Sequence, residues 1–258
     1  MARLLFLTGA SSGIGQALAR RFHAAGYRVA MVARDRAALQ AWVEAAGWPP
    51  DHYRLYAADV TDPDAMASAG RDCIESLGVP DVVIGCAGIS VGVDTAIRED
   101  LAVMARVYAV NNLGLAATFH PFVRAMQERR SGVLVGIASV NGIRGFPGHG
   151  AYCASKAAVI SYCESLRVEL RASGVRVTTL CPGYVDTPLT RGNRYAMPFL
   201  MTADAFAEQA WRAIERGDSY RVIPWQMGVV AKLLRVLPNA VFDRLFAGRA
   251  RKKRVDEA

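Results

Sequence analysis

Short apolar runs alternate with longer helical patterns along this chain, and that alternation leaves few folds open. Runs at 4–8, 28–33, 54–57, 82–85, 133–137 and 175–180 have strand length and are apolar almost throughout, with a last one at 220–223. Strands read this way when both faces of their sheet are covered. The stretches between them, 14–25, 36–46, 63–77, 99–129 and 152–173, carry helical periodicity and supply the covers. The pattern predicts an α/β chain with a doubly wound parallel sheet and helices on both faces. Two boundaries have local causes: Gly26 follows the first helix as a left-handed cap, and Asp62-Pro63 supplies an N-cap and a first-turn proline for the third.

With 258 residues, 52% of them hydrophobic and 21% charged, the chain can bury one large core, so a single domain is expected. Cys73, Cys86, Cys153, Cys163 and Cys181 are widely spaced and form no C-x-x-C pair. That argues against a zinc or dithiol centre, and no metal is expected; the cysteines read as small, partly buried side chains of a protein in a reducing cytoplasm. Met1 leads directly into Leu4-Leu5-Phe6-Leu7 and a glycine loop, without the regions of a signal peptide. Net charge is +8, and much of the excess sits in Arg249, Arg251, Lys252, Lys253 and Arg254. A solvated tail explains it; no helix-turn-helix pattern or basic stripe outside that tail points to nucleic acid.

Thr8-Gly9-Ala10-Ser11-Ser12-Gly13-Ile14-Gly15 runs from the first strand into the first helix. Glycines there permit a tight turn and close approach of backbone to a pyrophosphate, and the helix N-terminus attracts the phosphates. The sheet is therefore expected to be Rossmann-like, although such a turn also occurs without a ligand. After the second strand, Val32-Ala33-Arg34-Asp35 places Ala33 where an NAD-selective acid is expected, followed by Arg34, whose guanidinium suits a 2′-phosphate. NADP(H) is favoured. NAD(H) is the alternative, if Arg34 is a solvated loop residue and Asp35 turns inward. Asp59-Val60 follows the third strand, where it would meet an adenine or where Asp59 would cap its loop. Ala87 and Gly88 follow the fourth strand and leave room for a cofactor against the strand ends.

Tyr152-Cys153-Ala154-Ser155-Lys156 opens a predicted helix, and its four-residue spacing puts phenol and ammonium on one face. A cation held beside a phenol draws its pKa of about 10 towards neutrality, which suits proton donation and acceptance. The same pair also occurs on ordinary amphipathic helices. Ser139 closes the fifth strand thirteen residues before Tyr152, as a partner or as a strand-end cap. In order and spacing, the glycine loop, Asp59, Asn111-Asn112-Leu113-Gly114, Ser139, Tyr152, Lys156, Pro182-Gly183 and Thr187 resemble the classical short-chain dehydrogenase/reductase family over about residues 3–223.

The resemblance implies an NADP(H)-dependent oxidoreductase that interconverts a carbonyl and a secondary alcohol by hydride transfer. In it Tyr152 would be the general acid/base, Ser139 would orient the substrate oxygen, and Lys156 would bind the nicotinamide ribose and lower the Tyr152 pKa. Asn111 would hold a water linking Lys156 to solvent. Thr8, Gly9, Ser11, Ser12, Gly13, Ile14 and Gly15 would form the cofactor loop, and Pro182, Gly183, Val185 and Thr187 would lie at the nicotinamide end. The resemblance also implies a catalytic unit over 1–223, its substrate loop at about 184–201, and a helical extension with a basic tail over 224–258, all in one domain. One departure stands out: the family usually has Asn-Asn-Ala-Gly where this chain has Gly85-Cys86-Ala87-Gly88.

The substrate loop contains Pro188, Leu189, Tyr195, Met197, Pro198, Phe199 and Leu200, and Ile143, Phe146 and Pro147 precede Tyr152. These residues would line a hydrophobic pocket for an apolar ketone or alcohol, or pack against the protein or a second subunit. The extension joins apolar residues to Lys232, Arg235 and Arg244, which suits docking against the substrate loop or a second subunit, or weak peripheral membrane contact. No apolar run approaches the roughly 20 residues that span a bilayer. The resemblance implies a homodimer or homotetramer formed through the helices at 99–129 and 152–173. The competing class is a non-catalytic dinucleotide-binding or redox-sensing protein, and the full set Asn111, Ser139, Tyr152 and Lys156 speaks against it.

Overall fold

The computed structural model describes residues 2–193, 196–248 and 251–254; Tyr195 and Arg249, named above, lie outside the described residues. Seven strands form one sheet: β1 (Leu4–Thr8), β2 (Arg28–Ala33), β3 (Tyr53–Ala57), β4 (Val82–Gly85), β5 (Gly132–Ile137), β6 (Val175–Pro182) and β7 (Tyr220–Ile223). Their order is β3-β2-β1-β4-β5-β6-β7, and every pairing is parallel. The order reverses between β1 and β4, where a doubly wound sheet opens a crevice at its carboxyl edge. Thr8 is in register with Gly85, so the glycine loop and the 85–88 loop leave the sheet side by side.

Helices cover both faces: α1 (Gly13–Ala24), α2 (Arg36–Ala45), α3 (Pro63–Leu77), α4 (Asp100–Tyr108), α5 (Gly114–Arg129), α6 (Gly150–Glu169), the short α7 (Pro188–Arg191), α8 (Ala203–Arg216), α9 (Trp225–Val236) and α10 (Asn239–Phe246). Side chains alternate across a strand. Leu5 and Leu7 of β1 therefore join Leu18, Phe22, Phe206 and Ile214 on one face, while Leu4 and Phe6 join Phe119, Phe122 and Met126 on the other. All five residues of β1 are buried, which is why the strand is apolar at every position rather than at every second one. Each fully buried leucine or phenylalanine contributes roughly 1.5–3 kcal/mol.

The expected caps form. Asp62 accepts from the Asp64 and Ala65 amides at 3.0 Å, and Gly26 takes a φ of +82° just after α1. Two expectations are corrected. The helix expected over 99–129 is interrupted by a π turn at Ala109–Leu113, because Asn111 and Asn112 leave the helical pattern to bond Ile89 and Ser155. The helix α8 was not expected at all; it packs against α1 through Phe206, Ala207, Ala210, Ala213 and Ile214.

The missing amides after β4 have a steric counterpart. A Cβ on Gly85 would stand 2.1 Å from Leu115 Cδ1, so the leucine fills the space that a side chain at 85 would need. The extension is docked on the body. Arg144 donates to the carbonyl of Leu234, to that of Leu237 at 2.7 Å and to Asn239 Oδ1 at 3.0 Å, tying down the break between α9 and α10. Its guanidinium lies 3.9 Å from the Phe242 ring centroid, and Phe146 packs against Phe242 and Phe246.

Candidate active site

A cleft of about 470 Å³ runs along the carboxyl edge of the sheet. One end is the glycine loop. Gly9 has a φ of +70°, and a Cβ there would lie 2.7 Å from the Ala87 amide nitrogen; a Cβ on Gly15 would lie 2.0 Å from the Gly9 carbonyl oxygen. Bare backbone at both positions lets the start of α1 sit directly on the turn. Ser12, the N-cap, makes no side-chain capping bond, which leaves first-turn amides available to a ligand. Gly88 keeps the middle of the cleft open, since a Cβ there would stand 3.4 Å from Lys156 Nζ. These features fit the dinucleotide expected from the sequence.

Ser11, Ser12, Gly13, Ile14, Ala87 and Gly88 all line the cleft, as do Pro182, Gly183, Val185 and Thr187 at its other end. Thr8 does not. It is fully buried behind the loop, and its hydroxyl accepts from the Cys86 amide at 3.3 Å, tying β1 to the loop after β4. Thr187 caps α7 in a reciprocal arrangement with Thr190, whose hydroxyl also donates to the Val185 carbonyl at 2.6 Å.

Beyond β2 and β3, Arg34 is exposed at the edge of the cleft, and Val60 forms part of its wall. Asp35 accepts from the Ala38 amide at 2.9 Å as the cap of α2 and is not in the wall. Asp59 accepts from the Thr61 amide at 2.9 Å and the Thr61 hydroxyl at 2.8 Å, so it does cap its loop while also lining the cleft. The Thr61 amide holds this carboxyl below the usual range, and the nearby Arg34 and Arg106 guanidiniums act in the same direction. Arg106, on α4, is a cleft residue that the sequence reading missed.

At the other end, α6 brings Tyr152 and Lys156 to the wall, and β5 brings Ser139. Lys156 Nζ donates to the Ile137 carbonyl at 2.8 Å and lies 5.8 Å from the Tyr152 ring centroid. Burial lowers the lysine to about 8. Burial pushes the Tyr152 phenol up to about 12, with the Ser139 hydroxyl pulling the other way. Desolvation of the phenolate outweighs the Ser139 hydroxyl, a direction opposite to the expected draw towards neutrality, although the tyrosine is half-buried and faces the cleft. At neutral pH the phenol holds its proton. Ser139 also accepts from the Asn141 amide at 3.2 Å, so it is a strand-end cap and a neighbour of Tyr152 at once.

Residues 3–197 match the model of the short chain dehydrogenase family. The chain belongs to that family. An uncharacterized oxidoreductase of Myxococcus xanthus is 40% identical over 244 residues, covering 93% of this chain and 95% of the relative. The dehydrogenase/reductase SDR family member 7B of Bos taurus is 33% identical and covers 97% and 82%. A short chain dehydrogenase from Burkholderia cenocepacia, solved in complex with NADP, shares the fold with a TM-score of 0.82 at 21% identity, over 95% of this chain and 98% of that one. This short-chain dehydrogenase is an oxidoreductase acting on CH–OH groups.

In this short-chain dehydrogenase Asn111 does not line the cleft. It is buried; its Oδ1 accepts from the Ile89 amide at 2.8 Å, and its Nδ2 donates to the Ile89 carbonyl at 3.0 Å and to Ser155 Oγ at 2.9 Å. Ser155 was also missed from sequence. Its hydroxyl donates to the Tyr152 carbonyl at 2.8 Å, so it links the π turn to the turn of α6 that carries the phenol. Gly114 lets the start of α5 lie against the loop after β3, because a Cβ there would meet Val60 Cγ2 at 2.7 Å.

Beside Ser139 and Tyr152 a smaller pocket of about 40 Å³ reaches Asn141, His149, Asn193 and Lys252. Among the described residues, Leu189 is the one member of the expected apolar set that lines it; Phe146 packs on the extension, and Phe199 and Leu200 are exposed. The pocket surface is more apolar than polar, with polar atoms from Ser139, Asn141, Asn193 and Lys252 among apolar ones.

Proposed function

We propose that this short-chain dehydrogenase uses NADP(H) to interconvert a carbonyl and a secondary alcohol, with Tyr152 as general acid/base. The observation that carries the reading is the meeting of Ser139, Tyr152 and Lys156 in one wall of the cleft that begins at the glycine loop. When bound, the nicotinamide supplies hydride to the carbonyl carbon or accepts it from the alcohol. In reduction the phenol, kept protonated by burial, gives its proton to the carbonyl oxygen, and the Ser139 hydroxyl donates to the same oxygen. Lys156, anchored on Ile137, holds the ribose and favours the phenolate left behind. Asn111 fixes the loop after β4 and the start of α6, and a water held there would join Lys156 to solvent.

NADP(H) rather than NAD(H) is supported by two guanidiniums, Arg34 and Arg106, at the Asp59 end of the cleft, by Ala33 in place of an acid, and by Asp35 turned onto α2. Exposed Leu101, Leu113, Tyr162 and Val168 on and around α4, α5 and α6 support a homo-oligomer built on those helices. On α9, exposed Trp225, Val229, Leu233 and Val236 beside Lys232 and Arg235 suit weak contact with a membrane surface; no helix among the described residues is long and apolar enough to cross one. Five unpaired cysteines suit a reducing compartment. The Lys252, Asn141 and Asn193 side chains in the small pocket beside Tyr152 turn the substrate reading away from a wholly apolar ketone.

The test is Tyr152→Phe. Turnover of a carbonyl panel with NADPH should fall by about 10²–10⁴-fold while NADPH affinity, read by isothermal titration, stays within about threefold. A variant that keeps its turnover would remove Tyr152 from the chemistry.

A further inference from the structure

The segment 251–254 crosses the face of the molecule beside Tyr152. Its course is built into the body: a Cβ on Gly92 would stand 2.2 Å from the Lys252 carbonyl oxygen, and one on Gly148 would stand 2.8 Å from Arg251 Cβ. The Gly92 amide donates to the Lys253 carbonyl at 2.9 Å. Arg254 makes two bonds to the buried Asp100, at 2.8 and 3.0 Å, and Arg251 meets Asp94 at 3.1 Å. Lys252 differs from both. Its Nζ reaches only neutral oxygens, the Leu189 carbonyl at 3.1 Å and Asn193 Oδ1 at 2.7 Å, and among the described residues no carboxylate pairs with it.

That ammonium lines the same pocket as Ser139 and Tyr152. None of the described residues in the pocket is acidic. Burial and the nearby Lys252 charge hold His149 down to about 4, so the imidazole is neutral at physiological pH and, among the described residues, the lysine supplies the one full charge in the pocket. Burial also lowers Lys252 itself, the direction expected of a cation that lacks a counter-charge. A volume of about 40 Å³ has room for about three waters, which is the size of a carboxylate, and the pocket opens at Ser139 and Tyr152 into the larger cleft.

We propose that Lys252 is a specificity-determining residue and that the substrates are small carbonyl or hydroxy acids, whose carboxylate it receives while Ser139 and Tyr152 take the reacting oxygen. This rests on the reading of Ser139 and Tyr152 as the pair that meets that oxygen. The carboxylate joins the two Lys252 bonds as a third acceptor and supplies the charge that the pocket lacks. Lys252 touches the end of the substrate away from the reacting carbon, so it selects among substrates and takes no part in proton transfer.

The test is isothermal titration of the protein, with and without NADPH, using pyruvate and levulinate against their methyl esters. At least one acid should bind about tenfold or more tightly than its ester to the wild type. Lys252→Met should erase that preference and Lys252→Arg should retain it. Equal binding of acid and ester, no binding of either acid, or a preference that survives Lys252→Met overturns the assignment. The same titration on Tyr152→Phe keeps the two proposals apart. An acid preference there alongside undiminished turnover would sink the role of Tyr152 and leave Lys252 standing; lost turnover without any acid preference in the wild type would do the reverse.

Discussion

The dinucleotide side of the cleft is assembled from short segments that each adjoin the end of their own strand: the loop after β1, Arg34 after β2, Asp59 after β3 and Gly88 after β4. The side around the small pocket gathers Asn141, His149, Leu189, Asn193 and Lys252, which reach it from two separate connections, β5–α6 and β6–α8, and from the extension. In the first case backbone geometry makes the site, and a few glycines suffice. In the second the site exists only once distant segments have docked. Change in the second region should therefore alter what is bound, whereas change in the first should alter whether anything binds.

The strongest way to break this contrast is Gly9→Val. Its Cβ would press on Ala87 in a backbone conformation that valine avoids, so NADPH affinity should fall by about 100-fold and stability by roughly 1–3 kcal/mol. Calorimetry and a thermal melt read both; NADPH binding close to wild type would show that the loop tolerates a side chain and that its geometry is not what makes the site.

A smaller effect separates the two cofactors. Arg34→Ala combined with Arg106→Ala should weaken NADPH by about 30-fold and leave NADH within about threefold, because only the former carries the extra phosphate. Equal losses for both would move the arginines from phosphate recognition to general support of the cleft.

The smallest concerns the segment 251–254. The Arg254 guanidinium, followed by the Asp94 amide, holds the Asp100 carboxyl below its usual range. A depressed folded value means that this stabilisation is fully present above the ordinary carboxylate pKa of about 4 and is lost as pH falls through the lowered one. Hydrogen exchange of the Gly92 amide, which donates to the Lys253 carbonyl, corrected for its intrinsic pH dependence, should show constant protection from pH 8 to about 5 and lose it in stronger acid. Asp100→Asn should show a several-fold loss already at pH 7, with NADPH binding unchanged. Protection that ignores both the acid and the substitution would mean that the backbone bond from Gly92 holds the segment without Asp100.

The same contrast explains what was legible in the sequence. All seven strands, the Asp62-Pro63 start of α3 and the glycine loop announce themselves through neighbours in the chain, and each lies within a residue or two of its expected place. The helix α8 also had a local signal, in the spacing of Phe206, Ala207, Ala210, Ala213 and Ile214, and an alternating fold calls for a cover between β6 and β7. Arg106, Ser155 and Lys252 had none, since an arginine on a helix, a serine inside one and a lysine in a basic tail look the same whether or not they reach a cleft. At Tyr152 spacing shows the lysine on the same helix face, while the desolvation that raises the phenol is set by packing and is not legible in the sequence.

The pairing of Gly85 with Leu115 has a consequence for how such chains diverge. Restoring the asparagine that the family usually carries at 85, with Leu115 in place, puts its Cβ 2.1 Å from a leucine methyl. Trimming the leucine first leaves a cavity, which is costly but survivable, and then admits the amide. The two substitutions are thus ordered, and lineages on either side are separated by a step that only one sequence of events can cross.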